Sequence, residues 1–210
     1  MPRFQDRRPD AILFDCDGTL LLTSDLHFSA ISQAAGRQGA VMPQDWYLGL
    51  TGLERRSLFA RFAADFGLAL DVEALVADSI ALTVAGAASA RENPAVAALA
   101  RQLAGRMPMA VVTNSEARVA RPLLAATGLL PLFDMVIAAE DAPLPKPAPD
   151  LYLHAAQRLG ADPAQCLVLE DSDQGLTAGQ RAGATCLDVR TPGWETAAHD
   201  FLGSWAKASG

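Results

Sequence analysis

Residues Ala11–Leu20 read Ala-Ile-Leu-Phe-Asp-Cys-Asp-Gly-Thr-Leu, and this is the most informative stretch of the chain. Its first four residues are apolar, which is typical of a short buried strand, and Asp15, Asp17 and Gly18 come soon after them. Two carboxylates so close to an apolar strand repel each other and lose hydration, so they need a cation or a shared proton. We expect a divalent metal here. The alternative is an acidic turn, in which Asp and Gly serve only the backbone geometry.

The composition limits the classes of protein that the chain can be. Its 210 residues are 50% hydrophobic and 20% charged, which is ordinary for a globular protein with one core, or a core and a small insertion. A net charge of −7 excludes the basic surface of a nucleic-acid-binding protein. No apolar run reaches the roughly 18 residues that span a bilayer, and the polar start has no signal-type segment behind it. We therefore expect a cytoplasmic protein whose three cysteines are reduced thiols.

Beyond residue 91, short apolar runs alternate with helical patterns. Strands are predicted at 108–113, 135–138, 166–169 and 185–189, and helices at 116–127, 150–159 and 174–181. Alternating strands and helices indicate a parallel sheet with helices on both faces. The predicted fold class is therefore α/β, with a doubly wound, Rossmann-like parallel sheet. The strand predicted at 11–15 belongs to the same sheet.

The segment 21–90 has a different pattern. It carries Ala- and Leu-rich helical stretches at 26–38, 53–66 and 72–85, and no convincing strand. We expect an all-helical domain at 21–90, inserted into a core domain made of 1–20 and 91–210, with hinges near Leu20 and Arg91. The weak periodicity after Thr191 supports no interpretation.

Polar groups follow the ends of successive predicted strands. They are Asp15 with Asp17, Thr113-Asn114-Ser115, Lys146, and Glu170-Asp171. Ligands bind at the carboxyl ends of parallel strands, so these groups should meet on one rim, where they suit a phosphate and a hard cation. Taken singly, each has a plainer interpretation: a turn and N-cap, a solvated loop lysine, or a charged helix N-terminus. Their order along the chain favours a site.

The charge balance of such a site also indicates a metal. A phosphomonoester of about −2 beside Asp15, Glu170 and Asp171 brings the total to roughly −5, against one positive charge from Lys146. A lysine alone cannot balance that charge, so the sequence predicts a bound divalent ion.

Four motifs can now be compared with a known family. They are Asp15-x-Asp17-Gly18-Thr19, Thr113-Asn114, Lys146-Pro147-x-Pro149-Asp150 and Glu170-Asp171-x-x-x-Gly175. In this order they resemble the motifs of the haloacid dehalogenase superfamily, over about residues 10–190. A helical cap inserted after the first motif resembles the β-phosphoglucomutase-like subgroup. Residues 105–111 and 166–171 are similar to bacterial fructose-1-phosphatase and 6-phosphogluconate phosphatase.

The resemblance implies roles for the acidic residues. Asp15 would be the nucleophile that becomes an aspartyl-phosphate, and Asp17 the acid/base that protonates the leaving oxygen and later activates water. Mg²⁺ would be held by the Asp15 carboxylate, the Asp17 backbone carbonyl and Asp171, with Glu170 beside or behind them.

The resemblance also implies a phosphate site and two cap contacts. Thr113, the Asn114 N–H and Lys146 would bind the transferred phosphoryl group. His27 and Arg55 match substrate-contacting cap residues by position, and Arg55 would grip a phosphate or a sugar. For His27, the alternative is a helix-face histidine packed against the core.

The function expected is a Mg²⁺-dependent phosphatase for a small phosphorylated sugar or sugar acid. Its partner would be that small phosphorylated metabolite, with no nucleic acid and no membrane, and the protein would be a monomer or weak dimer. The alternatives are a sugar phosphomutase of the β-phosphoglucomutase type and a non-catalytic sugar-phosphate sensor. Residues 67–90 contain no basic residue, where the mutases carry a cap lysine, and this favours hydrolysis. A sensor has no need of the nucleophile Asp15.

Overall fold

The computed structural model describes residues 9–50 and 53–202. In this part of the chain, five strands form one sheet: β1 (Ala11–Phe14), β2 (Met109–Val112), β3 (Met135–Ile137), β4 (Cys166–Glu170) and β5 (Thr185–Asp188). Their order is β3-β2-β1-β4-β5, and every neighbouring pair is parallel. The predicted α/β fold, with its parallel sheet and flanking helices, is confirmed.

Nine α-helices accompany the sheet in the described residues. They are α1 (Ser24–Arg37), α2 (Gln44–Leu48), α3 (Arg55–Phe66), α4 (Val72–Ala85), α5 (Pro94–Leu103), α6 (Ala117–Ala126), α7 (Asp150–Leu159), α8 (Asp173–Arg181) and α9 (Trp194–Leu202). The sequence patterns did not predict α2, α5 or α9. The other six lie where helices were predicted, with ends that differ by a few residues.

Both faces of the sheet are buried, which explains the uninterrupted apolar runs of its strands. In β1, Ile12 and Phe14 belong to the larger core cluster, and Ala11 and Leu13 to a smaller cluster on the opposite face. The buried sides of α5, α6 and α9 cover the larger cluster, whereas α7 and α8 cover the smaller one. Because β1 is central, its carboxyl end opens into the middle of the rim.

The helices α1–α4 lie between β1 and α5 in the chain, and the described part of this segment contains no strand. Their buried faces continue the larger core cluster. Where the chain leaves the sheet and returns to it, Leu22 N donates to Arg91 O at 2.8 Å and Asn93 N donates to Leu20 O at 2.8 Å. The two crossings near Leu20 and Arg91 are therefore side by side.

Two simpler expectations can be compared with the structure. Cys16, Cys166 and Cys186 are all free thiols, as expected. No helix within residues 9–50 or 53–202 has both the length and the apolarity needed to cross a bilayer.

Candidate active site

A cavity of about 380 Å³ lies at the carboxyl ends of the strands. Its walls come from the sheet on one side and from the inserted helices on the other. Most of the predicted site residues line it: Asp15, Asp17, Thr113, Asn114, Lys146, Asp171, His27 and Arg55. Glu170 is fully buried and does not line the cavity.

Lys146 lies at the centre of the charged cluster. Its ammonium donates to Asp15 Oδ1 at 2.7 Å, to Glu170 Oε1 at 2.6 Å and to the backbone carbonyl of Val112 at 2.9 Å. Burial alone would lower the pKa of Lys146, but the carboxylates of Asp15 and Glu170 outweigh it and hold the pKa well above its usual value. The side chain is 3% exposed, so the solvated loop lysine is excluded.

The carboxylates around this ammonium outnumber it. Oxygen atoms of Asp15, Glu170 and Asp171 lie within 4.8 Å of one another. Burial, together with the charge of Glu170, raises the pKa of Asp15 well above its usual value and that of Asp171 to about 6. Carboxylate oxygens are the ligands that Mg²⁺ prefers, so the donor set and its unbalanced charge fit a hard divalent ion.

Glu170 is held by five hydrogen bonds. Besides Lys146, the hydroxyl of Tyr152 donates to Oε1 at 3.0 Å; the Asp171 N–H, the Ser172 N–H and the Ser172 hydroxyl donate to Oε2 at 3.0, 3.0 and 2.9 Å. A Cβ at Gly175 would overlap the Glu170 carboxylate, which explains the glycine in the fourth motif. Glu170 therefore lies behind Lys146, with both oxygens already engaged.

The residues after Asp17 hold Asp171. Gly18 has φ +93°, a conformation that favours glycine, and a Cβ there would overlap the Asp171 carboxylate. The Thr19 hydroxyl donates to Asp171 Oδ1 at 3.0 Å. The Gly-Thr pair of the first motif thus sets the position of an acid that comes from a different strand.

Asp17 accepts hydrogen bonds on both carboxylate oxygens. Thr23 Oγ1 and His27 Nε2 each lie 2.7 Å from Oδ1; the Ser115 hydroxyl lies 2.7 Å and the Thr113 hydroxyl 3.5 Å from Oδ2. Burial alone would raise the pKa of Asp17, but His27, Ser115 and Thr23 together hold it below its usual value. In this arrangement Asp17 is an ionised proton acceptor.

His27 connects Asp17 to Arg55. Arg55 Nη2 lies 2.9 Å from His27 Nδ1 and also donates to Thr83 Oγ1 at 3.3 Å. A guanidinium can only donate, so Nδ1 accepts and the ring proton is on Nε2, facing Asp17. His27 is buried, but it links charged groups and is not merely packed against the core. Arg55 Nε lies 3.3 Å from Glu116 Oε2.

Asn114 joins two of the loops at the rim. Its side-chain oxygen accepts from Lys146 N at 2.8 Å, and its amide donates to Lys146 O at 3.2 Å. Next to it, Thr113 Oγ1 accepts from Ser115 N at 3.0 Å. The loop after β2 and the loop that carries Lys146 are therefore fastened together.

Several participating residues were not assigned roles from the sequence. Thr23 and His27 are one helical turn apart, and this spacing was the only local signal for Thr23. Ser115 belongs to the triplet after β2 that was predicted to lie on the rim, but it was given no role of its own. For Tyr152 and Glu116, no local pattern indicates their partners, which come from distant parts of the chain.

The comparisons with known proteins can be set beside this geometry. Residues 9–183 match the family model described as haloacid dehalogenase-like hydrolase. The fructose-1-phosphate phosphatase YqaB of Escherichia coli is 35% identical over 179 residues, 85% of this chain and 95% of that protein. Hexitol phosphatase A of the same organism is 31% identical, with 88% and 85% covered.

Among solved structures, CbbY of Rhodobacter sphaeroides in complex with xylulose-(1,5)bisphosphate superposes with a TM-score of 0.79 at 28% identity. The match covers 93% of this chain and 91% of CbbY. The family model spans four of the five strands, β1 to β4, together with the inserted helices. The chain therefore belongs to the haloacid dehalogenase-like hydrolase family, as one of its phosphatases.

Proposed function

We propose that this protein is a Mg²⁺-dependent phosphatase that hydrolyses a small phosphorylated sugar or sugar acid through an aspartyl-phosphate on Asp15. The observation that carries the proposal is the buried Asp15–Lys146–Glu170 network, whose Asp15 and Lys146 line one cavity with Asp17 and Asp171. The names of two relatives, a fructose-1-phosphate phosphatase and a hexitol phosphatase, favour a substrate of this size. The three free thiols fit a reducing compartment, the cytoplasm.

In the first half-reaction, Asp15 attacks phosphorus. Lys146 donates to Oδ1, so we assign the attack to Oδ2. The new O–P bond forms as the bond from phosphorus to the sugar oxygen breaks, and Asp17 gives that oxygen a proton. Asp17 is ionised in the present arrangement, but the charge of an incoming phosphate raises its pKa, and phosphate oxygens compete for the Ser115 hydroxyl. Both effects favour proton uptake by Asp17 before transfer.

In the second half-reaction, water attacks the phosphorus of the aspartyl-phosphate. Asp17, now ionised, accepts a proton from this water, and the acyl O–P bond breaks to release phosphate and restore Asp15. The hydrogen bonds from Thr23 and His27 keep the Asp17 carboxylate in place between the two steps.

The remaining rim residues would hold the phosphoryl group and the metal. Thr113, the Asn114 N–H and Lys146 are proposed to bind the phosphoryl oxygens. Mg²⁺ would be held by the carboxylates of Asp15 and Asp171 and by the Asp17 backbone carbonyl. Glu170 would support this group from behind, because both of its oxygens already accept hydrogen bonds. The ion would neutralise charge on the transferred phosphoryl group.

We also propose that residues 21–90 act as a cap domain over a catalytic core of 1–20 and 91–210. His27 and Arg55 come from the cap side and line the cavity, where they would contact the rest of the substrate. A mutase would have to hold a bisphosphate intermediate, and α4 carries no basic residue to do so. This supports simple hydrolysis.

Removal of the metal should abolish activity. After treatment with EDTA, the protein is expected to release no phosphate from fructose 1-phosphate, because one ammonium cannot balance the substrate and the clustered carboxylates. Added Mg²⁺ should restore the rate. Full activity in excess EDTA would contradict the metal dependence.

Replacement of His27 should slow proton transfer. His27→Leu, which has no hydrogen-bonding group, is expected to lower kcat by about 10- to 100-fold with little change in KM, because Asp17 loses the donor that orients it. His199→Leu, on the exposed side of α9, is the matched control and should leave kcat unchanged. An unaltered kcat in His27→Leu would show that the contact of His27 with Asp17 is only structural.

A further inference from the structure

We propose that the cavity selects phosphorylated sugars whose far end is uncharged, and that Glu116 sets this preference through Arg55. This inference rests on the proposed phosphatase function and narrows its substrate class to neutral sugars and sugar alcohols. Glu116 would be a positioning residue, since it does not line the cavity and acts only through the guanidinium.

The guanidinium of Arg55 has nitrogen atoms without a hydrogen-bond acceptor in the described part of the chain. The residue is 6% exposed and lines the cavity wall. Its Nη2 is engaged with His27 and Thr83, whereas Nε and Nη1 are buried and have no hydrogen-bond partner among residues 9–50 and 53–202. A buried donor without a partner is unfavourable. A substrate oxygen bound at Nη1 would supply the missing acceptor.

The charge of Arg55 is already balanced before any substrate binds. Glu116 comes from the core side, directly before α6, and its Oε2 lies 3.3 Å from Arg55 Nε. That oxygen is buried and makes no hydrogen bond with the described residues, so its contact with Nε is an ion pair only. A carboxylate or phosphate at Nη1 would place a second negative charge near Glu116, which is repulsive in a buried site. A hydroxyl or carbonyl oxygen can accept the same hydrogen bond without this penalty.

The other cations of the cavity wall are paired as well. Lys146 contacts Asp15 and Glu170. Arg190 contacts Asp173 at 2.7 Å and Asp188 at 2.8 Å. Among the described residues that line the cavity, each lysine and arginine therefore has a carboxylate partner. A second anionic group on the substrate would find no unpaired cation, and rejection of charge is a way to obtain specificity.

Two substrates with one carbon skeleton test this inference. Sorbitol 6-phosphate and 6-phosphogluconate differ only at C1, which is a hydroxymethyl group in one and a carboxylate in the other. With Mg²⁺ present, wild-type kcat/KM should favour sorbitol 6-phosphate by about tenfold or more. Glu116→Gln should reduce this ratio by about tenfold, mainly through a lower KM for 6-phosphogluconate. Glu116→Asp, which keeps the charge, should retain most of the preference.

Glu140→Gln is the matched control. The Glu140 carboxylate accepts from Ala117 N at 3.1 Å, so it lies at the start of the same helix, but its side chain does not line the cavity. Glu140→Gln changes the net charge by the same amount as Glu116→Gln. It should leave the ratio of the two kcat/KM values unaltered. If Glu116→Gln fails to fold, Glu116→Ser replaces it.

The outcomes separate the two proposals. A wild-type preference for 6-phosphogluconate, or a ratio that Glu116→Gln leaves unchanged, would overturn the role of Glu116 and leave the phosphatase function intact. A wild type that releases phosphate neither from these compounds nor from fructose 1-phosphate would contradict the proposed function. The ratio of the Kd values of sorbitol 6-phosphate and 6-phosphogluconate on Asp15→Asn protein, with and without Glu116→Gln, would then decide the selectivity.

Discussion

Asp15→Asn is expected to abolish phosphate release, with a fall in kcat of about four orders of magnitude or more. An amide is not a nucleophile towards phosphorus, so no aspartyl-phosphate can form. The substitution keeps the shape of the side chain and an oxygen that can accept from Lys146, so the fold should remain intact. Steady-state assays with fructose 1-phosphate, and a search for trapped phosphoenzyme after rapid quenching, would measure the loss.

Asp10→Asn is the control for this variant. Asp10 directly precedes the same strand, and its carboxylate accepts from Asp162 N at 3.1 Å, away from the cavity. It should retain wild-type kcat. Substantial turnover by Asp15→Asn would contradict the assignment of Asp15 as the nucleophile. A wild type that binds sugar phosphates and never releases phosphate would favour the sensor.

Lys146→Met should have the largest effect on stability. It leaves Asp15 and Glu170 buried without their shared cation, and breaking a buried ion pair costs about 3–5 kcal/mol. Burial and Glu170 already raise the pKa of Asp15. The destabilisation should therefore shrink as the pH falls, because protonation removes one of the unpaired charges. Urea unfolding at pH 5 and pH 8 would measure both effects, and activity should be lost.

Arg158→Met makes the same change in net charge on the exposed side of α7. Its free energy of unfolding should differ from wild type by less than about 0.5 kcal/mol. Equal stability of Lys146→Met and Arg158→Met would mean that the buried ammonium contributes nothing to the fold.

The sheet was predictable because of how it is buried. A strand covered on both faces needs apolar residues at every position, so β1 and β4 are visible as continuous apolar runs. The order of these runs also predicted which polar residues share the rim. The helix α2 is five residues long, too short for a periodic pattern. By contrast α9 has a pattern that was overlooked, since Trp194, Ala198 and Leu202 recur every four residues and are buried.

The contacts inside the site were less predictable. The first motif indicated that carboxylates gather at the end of β1. The hydrogen bond from Thr19 to Asp171, however, depends on β1 and β4 being neighbours in the sheet. Glu116 follows Ser115 at the start of a helix, where an acidic residue needs no further explanation. Its approach to Arg55 depends on how the inserted helices pack on the sheet, which no local pattern encodes.

The side chain of Asn114 holds the main chain of Lys146 through both its N–H and its carbonyl. This contact fixes the backbone from which the ammonium reaches Asp15 and Glu170. Phosphoryl transfer moves charge, and much of the free-energy cost comes from reorienting the dipoles around that charge. A cation that is already in place reduces this cost. Removal of the Asn114 side chain would leave every charged group in the protein. It should still lower kcat, because the lysine would have to be repositioned at each turnover.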